Sequence, residues 1–255
     1  MDPQTTSLVG QGISLSFGGI KVLQELDVEF RAGEITGLIG PNGAGKTSLF
    51  NCLTGAYAPQ DGSISFSGQR LDGLPPSIRA GKGVVRSFQH VALCPDLTVI
   101  ENVMLGVARN YYSGWHHAFL PLPKGNRERA EMRVSAEGAL ANFGLTEMAE
   151  KMPGELPPGM QRLVEIARAI VGRPSVLLLD EPAAGLNNSE TRDLMRTLQK
   201  LTAADLVMVV VEHDMDFILM LEARVTVLHE GRVLAEGSID AVQANQEVVD
   251  VYLGR

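Results

Sequence analysis

Lys46 and Thr47 close the run Gly40-Pro41-Asn42-Gly43-Ala44-Gly45-Lys46-Thr47, which fits the spacing G-x-x-x-x-G-K-[ST]. Glycines at 40, 43 and 45 let the backbone turn its N–H groups inward without a Cβ in the way. The spacing predicts a short apolar strand from Glu34 to Ile39 before the loop and a helix from Thr47 to Leu53 after it, with Ser48 in its first turn. The start of such a helix offers orphan N–H donors and the positive end of the helix dipole to an anion. The chemistry implied is that of a phosphate chain, with Lys46 on the β- and γ-phosphates and the Thr47 hydroxyl on Mg²⁺. The alternative is a Gly-rich turn carrying a surface lysine.

Binding phosphates is not hydrolysing them, which needs a metal relay, a group that positions water and a sensor of the γ-phosphate. Asp180 and Glu181 end the apolar run that starts at Val176. Continuous apolar strands belong in parallel sheets covered on both faces, and ligands bind at the carboxyl ends of such strands. Asp180 at such an end would hold Mg²⁺; Glu181, one residue on, would act as general base on the attacking water. A helix cap followed by Pro182 is the plainer reading of the same pair. Gln89 follows a strand predicted over Val84 to Phe88, and His213 follows one predicted over Leu206 to Val211. In one parallel sheet both would face the crevice of Lys46 and Asp180, with His213 donating to the γ-phosphate and Gln89 touching Mg²⁺ and the water.

The elements that must hold these residues can be read from periodicity and turn chemistry. Leu8 to Phe17 and Val22 to Phe30 alternate apolar and polar residues around a Gly18-Gly19 turn. Phe17, just before that turn, is either a core or edge aromatic or a ring that stacks on a base. A short strand from Ser63 to Ser67 lies between turn sequences. Helical patterns cover Val99 to Val107, Arg127 to Phe143 and Met160 to Val171. The stretch from Asn110 to Phe119 carries the only Trp, as a satellite core or a docking surface. Its adjacent His116 and His117 cannot share a helix face, which disfavours a metal pair. The span 95–158 is expected as an inserted helical subdomain between strand-rich halves, about 1–94 and 159–255. Arg224 to His229 and Arg232 to Glu236 form a hairpin, and Ser238 to Leu253 a helical end.

The 255 residues are 45% hydrophobic, enough for a full core, and the net charge of −8 argues against nucleic acid as a partner. Cys52 and Cys94 fit no metal spacing and suggest a reducing compartment. No apolar run approaches the ~18 residues that span a bilayer, and no signal-peptide pattern is seen at the start. A membrane would be reached through a partner.

In order and spacing these motifs resemble the nucleotide-binding subunits of ABC transporters over essentially the whole chain. The resemblance implies an α/β P-loop NTPase with a RecA-like, mostly parallel sheet core, an antiparallel β subdomain and an inserted α-helical subdomain. Gly40 to Thr47 resembles the Walker A motif, Gln89 the Q-loop, Val176 to Glu181 Walker B with its catalytic Glu, Ala184-Gly185-Leu186-Asn187 the D-loop and His213 the switch histidine. An aromatic at the position of Phe17 stacks on adenine in that family. The implied ligands are ATP and Mg²⁺. Stretches from Gly37 to Asn51, Leu97 to Val103, Glu181 to Asn187 and Val211 to Met215 resemble more narrowly the ATPases of branched-chain amino acid importers, whose relatives import urea, amides and aromatic acids. The partners implied are a second ATPase subunit, two transmembrane permease subunits and, indirectly, a periplasmic or extracellular solute-binding protein. The location implied is peripheral, on the cytoplasmic face of the inner membrane.

One departure stands out. The family signature, Leu-Ser-Gly-Gly-Gln or a near variant, falls on Leu156-Pro157-Pro158-Gly159-Met160. In the family, the serine and glycine of this motif, here Pro157 and Gly159, meet the γ-phosphate held by the opposite subunit, and Pro157 brings neither hydroxyl nor N–H. An asymmetric heterodimer is therefore expected, with a homodimer as the alternative. A soluble ABC-type ATPase and a low-turnover regulatory subunit are the competing functions.

Overall fold

The computed structural model describes residues 6–87, 92–107, 123–202 and 205–253. The chain divides into two compact units: residues 1–86, 175–181 and 199–255, and residues 87–174 and 182–198.

The first unit holds both sheets. β1 (Ser7–Phe17) and β2 (Ile20–Arg31) pair antiparallel around Gly18 and Gly19, whose φ angles of 54° and 86° lie in the left-handed region that glycine enters most readily. With β4 (Asp61–Phe66) and β5 (Gln69–Arg70) they form a sheet of order β2-β1-β4-β5. The second sheet has order β10-β9-β3-β8-β7-β6. It comprises β3 (Ile35–Ile39), β6 (Val84–Arg86), β7 (Val176–Asp180), β8 (Val207–Val211), β9 (Arg224–His229) and β10 (Arg232–Gly237). Only the β9–β10 hairpin is antiparallel.

β3, β7 and β8 are buried at every residue, as continuous apolar runs require. On one face, Leu38, Val176, Leu178, Val207 and Val209 join α1 (Lys46–Thr54) and the inner residues of β1 and β2 in a single core. On β3, Gly37 admits Ile218 of α7 (Met215–Met220): a Cβ there would stand 2.9 Å from the Ile218 side chain. α2 (Pro76–Gly81), α8 (Ile239–Gln243) and α9 (Gln246–Leu253) complete this unit. The helical end is thus two helices, because the Ser238 hydroxyl caps the first and the chain breaks at Ala244 and Asn245.

The second unit is helical. α3 (Val99–Val107) packs against α4 (Pro123–Ala141) and α5 (Pro158–Ile170), and Val99, Ile100, Val103, Met132, Ala136, Leu140, Val164 and Ala167 are buried on these helices. α4 starts at Pro123 rather than Arg127, since proline fits a first helical position. α6 (Asn188–Thr202) begins in this unit, and the Asn187 side chain accepts hydrogen bonds from the N–H groups of Ser189 and Glu190. Periodicity alone does not separate α6 or α7 from the surrounding sequence.

Candidate functional site

Strand register builds the site. Leu38 of β3 pairs with Val211 of β8, and Val211 pairs with Asp180 of β7. The carboxyl ends of three parallel strands therefore lie in one row, and the segment leaving each strand is brought to the same edge.

After β3 comes the loop. Gly40 has φ 149°, and a Cβ there would stand 2.1 Å from the Leu228 carbonyl oxygen, so only glycine fits. The Ala44 N–H donates to the Pro41 carbonyl, and the Gly231 N–H donates to the Ala44 carbonyl, pinning the loop to the β9–β10 turn. Gly45 is the N-cap of α1, in the left-handed region, and makes no side-chain cap hydrogen bond. Asn42, Gly43 and Thr47 are exposed, whereas Ser48 is half-buried. The Lys46 side chain curls back, and its Nζ donates to the carbonyls of Gly40 at 2.6 Å and Pro41 at 3.0 Å. Burial pushes its pKa down, while the carboxylates of Glu181 and Asp180 pull the other way. Those two carboxylates thus act electrostatically on the lysine of the loop.

After β7, Asp180 is buried and its Oδ2 lies 2.6 Å from Nη2 of Arg86, at the end of β6. Glu181 takes φ 47°, its N–H donating to the Val211 carbonyl at 2.9 Å. That left-handed residue separates the directions of two adjacent carboxylates, and the plain helix-cap reading does not describe it. Instead Glu181 Oε1 stands 3.1 Å from His213 Nε2, which lies just beyond β8. The His213 N–H donates to the buried Glu212 carboxylate, and the Asp214 side chain caps α7. Lys46, Asp180, Glu181 and His213 are brought together; Gln89 lies outside the described residues, as do His116, His117 and the stretch from Asn110 to Phe119.

Phe17, 47% exposed, meets the ring of Tyr57 edge-on with centroids 5.3 Å apart. Tyr57 and Arg86 are the residues that sequence reasoning missed. A lone arginine in a short apolar strand, three residues before Gln89, was the available signal for Arg86.

In the helical unit, Pro157 is the N-cap of α5 and Pro158 its first residue, with no side-chain cap hydrogen bond. Gln161 donates through Nε2 to the Leu156 carbonyl at 2.9 Å. Gly159 is buried, and a Cβ there would stand 2.9 Å from the Gly185 carbonyl and 3.0 Å from Glu190 Oε2. This glycine lets the start of α5 approach the 184–187 turn.

Among the described residues no group of three or more His, Cys, Asp or Glu could hold a metal by itself. Thr47 and Asp180 offer a hydroxyl and a carboxylate, the hard oxygen donors that Mg²⁺ takes alongside phosphates. That donor set fits a metal arriving with a nucleotide. Among the described residues no helix is long and apolar enough to cross a membrane.

A family model described as ABC transporter matches residues 23–184. The chain is 40% identical over 248 residues to the high-affinity branched-chain amino acid transport ATP-binding protein LivG of Salmonella typhimurium, covering 97% of each. A nucleotide-free ATP-binding cassette from an ABC transporter superposes with a TM-score of 0.84 at 29% identity, over 98% of this chain and 100% of that one. The dimeric bacterial ABC transporter cassette MJ0796 superposes with a TM-score of 0.77 at 25% identity, over 91% of this chain and 98% of the other. With its glycine-lined loop, its row of strand ends and this match along its length, the chain belongs to the ABC transporter family, as an ATP-binding cassette.

Proposed function

We propose that the chain is the ATP-hydrolysing subunit of an importer for branched-chain amino acids or a related small cargo. The observation that supports it best is the pair of Glu181 and His213, 3.1 Å apart, in the row of strand ends that carries Lys46. The N–H groups of residues 43–48 hold the phosphates of ATP, and Lys46 exchanges its two carbonyl partners for phosphate oxygens. Thr47 and Asp180 would hold Mg²⁺, which would supply positive charge against the phosphates; Gln89 is assigned to the same metal and to the attacking water. Glu181 accepts the proton of that water, and His213 keeps its carboxylate aimed. Phe17, steadied by Tyr57, offers its free face to the base.

The partners are inferred from the relatives. LivG is named for branched-chain amino acid transport, and MJ0796 is a dimer of cassettes. A second cassette would place its own signature over Lys46, while Gly159 of this chain serves the other site. Pro157 removes a donor there, so the pair is a heterodimer with one weakened site. Two permease subunits, a solute-binding protein beyond them and a peripheral place on the cytoplasmic face complete the assembly. Loss of one such donor costs on the order of 10²–10³ in rate, and a low-turnover regulatory subunit is the reading that the uncapped prolines at α5 favour.

ATP turnover by the purified chain, alone and with its partner cassette, tests this, with Glu181→Gln as the blank. Turnover that appears only with the partner and vanishes in the blank is expected. Turnover per chain that climbs with its own concentration overturns the heterodimer, and none in either condition overturns the motor.

A further inference from the structure

Arg86 has no place in the chemistry above, and its surroundings are unusual for an arginine. It ends β6 with its side chain 10% exposed, against an Asp180 side chain 3% exposed. Three contacts fix its guanidinium. Nη2 pairs with Asp180 Oδ2 at 2.6 Å, Nη1 donates to Asn51 Oδ1 at 2.5 Å, and the ring centroid of Phe50 lies 5.4 Å from Cζ. Phe50 and Asn51 belong to α1, the helix that begins at Lys46. The charge is therefore clamped between the helix of the phosphate loop and the strand that ends in Asp180.

We propose that Arg86 is a positioning residue and the built-in counter-cation of Asp180, and that it makes metal binding depend on the nucleotide. This rests on the reading of Asp180 as a Mg²⁺ ligand. Two cations, Lys46 and Arg86, face two carboxylates, Asp180 and Glu181, so the four groups sum to no net charge. A divalent cation approaching alone meets Asp180 already paired with a guanidinium that Asn51 and Phe50 also hold. A triphosphate adds negative charge beside this balanced set, and the metal then enters with it. Arg86 also holds Oδ2 of Asp180, which fixes the orientation of that carboxylate. Lysine lacks the planar fork needed to hold Asp180 and Asn51 together, yet it keeps the charge. Charge and geometry are therefore separable by substitution.

The test is Mn²⁺ binding to the nucleotide-free full-length chain, read by the EPR signal of free Mn²⁺. Arg86→Gln is expected to tighten Mn²⁺ binding about 10-fold, the scale of removing one unit charge a few ångströms from a metal ligand. Arg86→Lys is expected to stay near the parent, and R86Q with D180N to lose the gain. No tightening in R86Q, or a gain that survives D180N, overturns the proposal. If R86Q does not fold, the Arg86 Nε resonance of the ¹⁵N-labelled parent chain decides. It shifts when Mg²⁺ is added to ATP-bound protein, and indifference to the metal overturns the proposal. D180N alone separates the two readings. Mg²⁺-dependence of ATP binding unchanged in D180N overturns the metal role of Asp180, and with it this proposal. A change in D180N with none in R86Q overturns the role of Arg86 alone.

Discussion

Arg79 closes the far end of the helix that starts at Lys46, and its loss should be felt as stability. It lies on α2, only 2% exposed. Its Nη1 donates to the carbonyls of Cys52 at 2.7 Å and Leu53 at 2.8 Å, in the last turn of α1, and its Nε donates to the Leu74 carbonyl at 3.0 Å. Burial pushes its pKa down, with the charges of Asp72 and Cys52 opposing. Arg79→Met keeps the stem and removes every donor. The Cys52 carbonyl still accepts from the Gly55 N–H, whereas those of Leu53 and Leu74 lose a charged partner. Two buried carbonyls losing such partners cost about 1–3 kcal/mol each, partly offset because no guanidinium need be desolvated. The net is about 2–4 kcal/mol. At roughly 2–4 °C per kcal/mol for a chain of this size, the midpoint should fall by about 5–15 °C. Thermal unfolding of the full chain reads this directly. Arg79→Lys should recover only part, since one ammonium does not reproduce the fork. A midpoint within about 2 °C of the parent for Arg79→Met would refute the reasoning.

Burial holds the Cys52 thiol up at about 11 against an ordinary 9.0, with Arg79 pulling the other way. A raised folded-state pKa gives stability that is complete below pH 9 and lost as pH rises towards 11, and Cys52→Ala should flatten that loss in melts taken across the range. At about pH 8 a maleimide should label exposed Cys94 and spare Cys52 until the chain unfolds, as mass spectrometry would show. Gly159→Ala puts a methyl against the Gly185 carbonyl and should lower ATP turnover of the assembled complex while ATP binding by the chain alone persists. Tyr57→Ala removes the edge contact to Phe17 and should weaken ATP by about 2- to 10-fold, with Phe17→Ala weakening it further; equal affinity in calorimetry would exclude the pair from base binding.

How legible each part was depends on where its information lay. The runs 176–180 and 207–211 were readable because burial on both faces leaves only apolar residues, whatever the neighbours. The loop at 40–47 was readable because its geometry is written in local glycines. α6 was not, although Asn187 caps it, because Leu194, Met195 and Leu198 share its buried side with the polar Thr197 and Thr202 in a polar stretch. The pairing of Arg86 with Asp180 spans 94 positions, and no local pattern announces it. The left-handed turn at Glu181 is equally silent, since glutamate has no preference for it. The order of the strands that puts those ends in one row is set by long-range pairing, which spacing does not carry.

The pairing of β3 has a consequence for how the chain is made. Its two neighbours are β8, residues 207–211, and β9, residues 224–229. Both are synthesised long after the loop that β3 supports. A growing chain therefore carries the phosphate loop for more than half of its synthesis with neither flank of that strand in place. Such non-local pairing is slow and leaves apolar edges open meanwhile. The capacity to bind a nucleotide arrives late, nearly with the last strands, and a ribosome-bound chain halted before residue 207 would have none.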